Sequence, residues 1–337
     1  MKCILTTLAL LGAATHAVAE PAGLRHVTLE MPHHGSKAAV SIWYPTDDGD
    51  APTIFAENPV FEGVQAYIDA KVQYGRHPVV MFSHGMGGTD RAQAWLTAGL
   101  AERGAIVVAV NHPHSTWGDF DMSQGVKHWT RVADLSVALD NLQSDPAFRD
   151  HIDPARIMAS GFSYGGWTAL SMGGLMGNHQ GLVDTCTAQI GTMEACDMLL
   201  SDDVRMQDID PGVWNASYAD PRITHVAAID PGFVWGLTAE DAADLVPNVL
   251  MIGFGGADDR MSATNFDDSG LVDLLANPEV IRLDPAFHFT AMPLCKPAGE
   301  DILKEEGDDA VCNDPVGTDR AEVHQRIIGA IAAALEI

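Results

Sequence analysis

Basic residues are scarce in this chain: 19 Lys plus Arg stand against 46 Asp plus Glu among 337 residues, a formal net charge of −27 at pH 7. A surface of that sign repels nucleic acid and anionic membranes, and the excess reads most simply as a solvated acidic coat. Long apolar runs are also missing beyond the first residues, and the opening run is itself short of the roughly 20 residues that cross a bilayer. Gly87-Gly88 lacks the following Lys-Ser or Lys-Thr that would complete a phosphate-binding loop. His112 and His114 lack recognisable third and fourth metal ligands nearby, so they read as a loop that shapes a pocket rather than as half a metal site. No internal repeat is apparent. The Asn215-Ala216-Ser217 glycosylation triplet is too common a pattern to argue from.

What opens the chain is informative. Lys2, the apolar stretch Cys3 to Ala14 and the small residues Ala17-Val18-Ala19 have the layout of a secretory signal peptide over residues 1–19, leaving residues 20–337 as one expected domain. Of the five cysteines, Cys3 falls in that leader, and the other four permit three pairings. Short loops cost least entropy to close, so Cys186–Cys196 and Cys295–Cys312 are the expected disulfides, and an exported protein, periplasmic or secreted, would keep them.

Apolar strands at Pro78–Phe82, Ala105–Val110, Val226–Ile229 and Val249–Gly253 alternate with helical stretches at Arg91–Arg103, Val132–Leu142 and Ala321–Ala334. Buried strands separated by helices imply a largely parallel sheet covered on both faces. An early hairpin or edge pair is expected between Val27 and Tyr44, followed by a polar, proline-bearing stretch. Between residues 173 and 219 the alternation breaks down, which reads equally as a cap over the strand ends or as a surface excursion.

Gly161-Phe162-Ser163-Tyr164-Gly165-Gly166 carries the chemistry. It lies between an apolar strand and a helix, and its glycines permit the sharp turn that leaves the Ser163 hydroxyl at a helix N-terminus. A serine needs a base whose tautomer is fixed by a carboxylate. His288, in a loop beyond the last strand, is the expected base. His179, His225 and His324 are more simply structural or surface residues. Two acids compete: Asp259, after the strand ending at Gly253, is preferred to Asp230, which ends an earlier strand, with Asp258 a minor outsider. Backbone donors for an oxyanion are expected at Tyr164 and at Met86, with His84 orienting the glycine loop. Trp167, Trp214, Phe233 and Trp235 can line a pocket or pack a core. Trp167, Trp235 and His112 are the candidate substrate contacts.

The elbow, Val79–Gly88 and Ser41-Ile42-Trp43-Tyr44-Pro45 together resemble the predicted dienelactone hydrolases and the bacterial relatives of platelet-activating factor acetylhydrolase. That resemblance implies the α/β-hydrolase fold: a mostly parallel central sheet flanked by helices, here with an insertion after the nucleophile helix. It also implies Ser163 as nucleophile, His288 as base and Met86 and Tyr164 as oxyanion donors. It divides on the acid, since the mammalian acetylhydrolases place theirs like Asp230, whereas cutinase-like polyester-degrading enzymes and true dienelactone hydrolases place theirs like Asp259. A true dienelactone hydrolase carries a cysteine nucleophile, so the serine here favours ester hydrolysis through an acyl-enzyme, on a small or lipid-like ester, with no cofactor or metal. The alternatives are an exported peptidase or amidase with the same triad, and a binding protein keeping a relic one.

Overall fold

The computed structural model describes residues 20–256 and 260–337; the expected signal peptide, Asp258 and Asp259 lie outside the described residues. The strands are β1 (Ala22–Met31), β2 (Ser36–Tyr44), β3 (Thr53–Phe55), β4 (Val64–Ile68), β5 (His77–Ser83), β6 (Ile106–Val110), β7 (Ser115–Thr116), β8 (Asp119–Phe120), β9 (Ile152–Phe162), β10 (His225–Ile229), β11 (Asn248–Phe254) and β12 (Glu279–Leu283). The helices are α1 (Ala94–Ala101), α2 (Met122–Gly125), α3 (His128–Ser144), α4 (Tyr164–Met172), α5 (His179–Ala188), α6 (Cys196–Leu199), α7 (Pro211–Trp214), α8 (Leu271–Leu274), α9 (Gly299–Glu306) and α10 (Arg320–Ala334).

A ten-stranded sheet runs in the order β12-β11-β10-β9-β5-β6-β2-β1-β4-β3. From β6 to β12 every neighbouring pair is parallel. The β1–β2 hairpin expected from the alternation forms, but it is interior: β2 pairs antiparallel with β6 and β1 pairs parallel with β4. The polar stretch after Pro45 supplies the true edge as β4 and β3, which are too short and too exposed to announce themselves by periodicity.

The central strands are apolar throughout because both faces are covered. In β5, Val79 and Met81 join the core beneath α3 and α4, whereas Val80 and Phe82 join the core beneath α1 and α10. Every residue of β5 and β6 is buried. The first helix is shorter than its pattern suggested, because residues 91–93 form turns before Ala94.

Residues 173–219 fold as α5, α6 and α7 around a separate apolar cluster that includes Leu182, Cys186, Cys196, Leu199, Met206 and Trp214. The Cys186–Cys196 disulfide closes its centre, and Cys295–Cys312 joins the loop after β12 to the segment before α10. Phe233, Trp235 and Ala263, from the loops after β10 and β11, pack against the same cluster, and the Ala263 amide donates to Glu194 Oε2 at 3.0 Å. This segment therefore touches the loops at the C-terminal ends of the strands, where parallel sheets of this kind present their ligand sites.

Candidate active site

Ser163 stands between β9 and α4 at φ 56° and ψ −122°, a left-handed conformation that is costly for a residue with a side chain. Its neighbours make the turn feasible. A Cβ on Gly161 would lie 2.2 Å from Gly165 O, and one on Gly165 would lie 1.9 Å from Ser83 O, so the elbow admits only glycine at both places. Hydrogen bonds from Ser163 N to Ile229 O and from Gly232 N to Ser163 O hold the turn against the end of β10.

His288 begins a short 3-10 turn, His288–Ala291, after β12. Its Nε2 lies 3.0 Å from Ser163 Oγ and its Nδ1 lies 2.6 Å from Asp230 Oδ2. The ring packs on Phe162 with centroids 4.6 Å apart. The loop is fixed from behind, since Phe287 N donates to Thr290 Oγ1, which donates to Asp314 Oδ1, and Arg320 binds Asp314 and the carbonyl oxygens of Pro293 and Val311.

Asp230, only 1% exposed, is the carboxylate brought to this histidine among the described residues. Thr264 Oγ1 donates to its Oδ2 at 2.7 Å, Phe254 N donates to its Oδ1 at 3.2 Å, and the Arg260 guanidinium lies 3.7 Å away. Burial of a carboxylate costs several kcal/mol unless such partners replace water, and here they do. Asp259, the acid preferred from the sequence, lies outside the described residues.

The loop Ser83–Gly88 runs beside the elbow: a Cβ on Gly85 would lie 3.3 Å from Ser163 Cβ. Gly87 and Gly88 spend their amides on Ser115 O and Gly85 O. Among the described residues the Met86 and Tyr164 amides have no hydrogen-bond partner. His84 is buried, and its Nδ1 donates to Gly85 O at 2.6 Å, which pins the loop; burial together with the nearby Arg131 charge pushes its pKa well down.

Behind this loop lies a polar network that the sequence did not reveal. Arg131, on α3 and wholly buried, donates to Ser83 Oγ, Ser115 Oγ, Thr168 Oγ1 and the His84 carbonyl, and it sits 4.5 Å from the Tyr164 ring centroid. Burial lowers its pKa to about 10, so it stays charged at neutral pH. One helical turn on, Asp134 Oδ2 accepts from His112 Nδ1 at 2.9 Å, and His112 Nε2 meets Ser83 Oγ at 2.9 Å. Burial opposes ionisation of Asp134, but the hydrogen bonds from His112 and His33, with the His34 ring close by, outweigh it and hold the carboxyl well below the usual range. The available signal was the spacing: His128, Arg131, Leu135, Ala138 and Leu142 recur at three and four residues, so two polar residues occupy an apolar stripe.

The expected substrate contacts are placed differently. His112 is wholly buried with both ring nitrogens engaged, so it supports the loop and faces no pocket. Trp167 is 1% exposed and belongs to the core under α4, because its helix face turns towards the sheet. Trp235 is half-buried and its indole donates to Ser262 O, beside the Thr264 that bonds Asp230. The β7–β8 hairpin, by contrast, exposes Trp117 and Phe120 and is bonded to the glycine loop through Gly87 N to Ser115 O and Trp117 N to Gly88 O.

A hydroxyl at an elbow, an imidazole within hydrogen-bond reach and a buried carboxylate behind it are parts that acyl transfer requires. The sequence profile of the platelet-activating factor acetylhydrolase isoform II family matches residues 60–118. No curated protein matches the sequence. Among solved structures, a ferulic acid esterase from Streptomyces cinnamoneus superposes with a TM-score of 0.59 at 18% identity, over 96% of this chain and 91% of that one. A dienelactone hydrolase-like promiscuous phosphotriesterase from metagenomic libraries gives a TM-score of 0.51 at 16% identity, over 94% and 98% of the two chains. With its parallel sheet, flanking helices and strand–elbow–helix at Ser163, the chain has the α/β-hydrolase fold and resembles the acetylhydrolase family locally.

Proposed function

We propose that the protein is an exported carboxylic ester hydrolase that works through an acyl-enzyme on Ser163. The observation that carries this reading is the continuous chain Ser163 Oγ–His288 Nε2 at 3.0 Å and His288 Nδ1–Asp230 Oδ2 at 2.6 Å. Ser163 attacks the ester carbonyl while His288 takes its proton, and Asp230 holds the productive tautomer and stabilises the imidazolium. The Met86 and Tyr164 amides receive the oxyanion. His288 then protonates the departing alcohol, and water activated by the same ring releases the acid.

The similarity to a ferulic acid esterase and to the acetylhydrolase profile supports ester cleavage, and the two disulfides suit an oxidising compartment. The insertion at 173–219 acts as a cap, a role favoured by its contacts with the loops carrying Phe233, Trp235 and Ala263. Trp117 and Phe120 offer an apolar platform next to the glycine loop, which suits a small or lipid-like ester.

The test is hydrolysis of an activated short-chain ester by the purified protein and by Ser163→Ala, together with labelling by a fluorophosphonate. Loss of both turnover and label in the variant is expected. Unchanged hydrolysis by Ser163→Ala rejects the mechanism, and a strong preference for a matched amide over the ester moves the assignment to the amidase alternative.

A further inference from the structure

β1 ends at Met31 and returns to β2 through Pro32-His33-His34-Gly35. The turn is tight: the His34 and Gly35 amides both donate to Met31 O at 3.0 Å, and Gly35 takes φ +65°. Two adjacent histidines are thereby held side by side at one end of the hairpin. Asp134, wholly buried on α3, turns Oδ1 towards both of them, 2.8 Å from His33 Nε2 and 3.2 Å from His34 Nε2. All three donor atoms lie within 4.8 Å of one another.

Hydrogen bonding accounts for only part of this arrangement. The His33 ring meets Asp134 Oδ1 in a hydrogen bond, but His34 Nε2 is buried and has no hydrogen-bond partner among the described residues despite its closeness to the same oxygen. A buried polar nitrogen left in that state is destabilising until a partner fills the position. That nitrogen and the two other donor atoms lie within 4.8 Å of one another, close enough for one cation to meet all three.

We propose that His33, His34 and Asp134 form a binding site for one divalent transition-metal ion of borderline softness, with Zn2+ the best match. Two imidazoles and one carboxylate are a donor set characteristic of zinc, with the fourth tetrahedral position left to water. Zinc bonds of about 2.0–2.1 Å place tetrahedral ligands about 3.3 Å apart. The observed separations of 2.8 and 3.2 Å from Asp134 fall short of that by half an ångström or less, an adjustment that the quarter-exposed His33 side chain can supply. The water would enter on the His33 side, since Asp134 and His34 are closed in.

The surroundings resemble a ligand-supporting shell, since Asp134 Oδ2 is already oriented by the 2.9 Å hydrogen bond from His112. None of the three ligands bonds Ser163 or His288, so the ion takes no part in acyl transfer and the inference stands apart from the proposed reaction. It would clamp the β1–β2 turn to α3, the helix whose Arg131 carries the glycine loop.

The purified chain, stripped with a chelator and desalted, is titrated with ZnCl2 by calorimetry, and retained zinc is measured after gel filtration. One ion per chain is expected, with a rise in Tm on addition. His33→Ala and the double variant His33→Ala/His34→Ala should weaken binding by roughly tenfold or more. Because His34 is buried, the His33→Ala variant, whose side chain lies at the surface of the turn, serves as the test if the double variant does not fold. Replacement by Co2+ should give the intense visible absorption of a four-coordinate ion, lost in His33→Ala. Absence of stoichiometric zinc, equal affinity in His33→Ala, or a weak six-coordinate cobalt spectrum each overturns the proposal.

Discussion

Asp230 leaves the sheet at the end of β10, one strand earlier than Asp259 would, yet its Oδ2 lies 2.6 Å from Nδ1 of His288 across 58 residues of chain. The two strands β10 and β11 are parallel neighbours in register, so a carboxylate at the end of either one starts close to the loop after β12. Asp230 has the geometry, at φ +44°, to turn its side chain into that loop. Asp230→Asn should lower kcat by about four powers of ten, the loss known for the comparable aspartate of a serine protease triad, because the histidine would favour the wrong tautomer. Asp259→Asn should stay within about tenfold of the parent, since that carboxylate is not required to hold the ring. Steady-state kinetics of the two variants, with folding checked by circular dichroism, decides between them; a severe loss confined to Asp259→Asn transfers the role.

Thr264 is the test of how Asp230 is held. Its hydroxyl donates to the same Oδ2 that faces His288, and its own position is set by the 3-10 turn Ser262–Thr264. Thr264→Val keeps the side-chain shape and removes one hydrogen bond to a charged group. We expect kcat to fall by about tenfold, about 1.4 kcal/mol of barrier, with KM little changed. An equal loss in kcat and in thermal stability, with the pH–rate profile unmoved, would mean that Thr264 serves packing alone.

The elbow was legible because its chemistry needs a local pattern: glycine at 161 and 165 is dictated by backbone contacts of about 2 Å, and such contacts leave a mark in any sequence that makes this turn. His288 was legible from its place after the last strand. The acid was not, because Asp230 and Asp259 both follow buried strands and only the path of the loop separates them. Trp167 and His112 misled for a common reason: an aromatic or imidazole ring near the motif looks available until packing shows that its helix face or its loop turns inward. The Arg131–Asp134 network was hidden because charged residues within an amphipathic helix are ordinarily read as its solvated side.

The aromatic hairpin next to the glycine loop gives a prediction about substrates. Trp117 is 65% exposed and Phe120 49% exposed, an unfavourable placement that a bound apolar chain would relieve. The double variant Trp117→Ala/Phe120→Ala should raise KM for esters of long acyl chains by about tenfold and leave acetyl esters nearly unaffected, since burial of each methylene group is worth about 0.8 kcal/mol. A KM series over acyl lengths checks this; parallel curves for parent and variant would remove the hairpin from the binding site.

The Cys295–Cys312 disulfide encloses the segment that Arg320 ties to the His288 loop. Closing a loop of 17 residues restricts the unfolded chain by about 3 kcal/mol. The Cys295→Ser/Cys312→Ser variant should therefore lose about that much stability in urea and also lose kcat, because the histidine loop is loosened. Removing Cys186–Cys196, whose separation is 10, should cost about as much stability but chiefly disturb the insertion, so substrate range should change more than turnover of the smallest ester. Urea titrations and kinetics on both variants distinguish the two effects.

Stability should fall on mild acidification, and the sign follows from the buried imidazoles. Burial lowers the pKa of His112, of His128 and of His324 to about 4 in each case, whereas an unfolded histidine titrates near 6.5. Between those values the unfolded chain binds more protons than the folded one, so unfolding gains as pH drops. The stability these groups leave intact above about pH 6.5 is lost progressively as pH falls towards 4, on the order of 1–2 kcal/mol for each at pH 5. Asp134 acts in a lower window, since a carboxyl held below its usual range withdraws stability only as pH falls beneath about 4. His33 has the opposite sign, its pKa being raised chiefly by the hydrogen bond to Asp134, but its partial exposure keeps that contribution small. His324 is the residue to change, because it lies on α10 and makes no hydrogen bond to Ser163, His288 or Asp230, being stacked 3.6 Å from Trp95 with Nε2 donating to Thr290 O. In His324→Gln the amide can keep that hydrogen bond and carries no titrating group. The difference in unfolding free energy between pH 7.5 and pH 5, measured by urea titration, should shrink by about 1–2 kcal/mol relative to the parent, whatever the variant's absolute stability. An unchanged difference would mean that His324 is protonated alike in the folded and unfolded chain, and that acid sensitivity arises elsewhere.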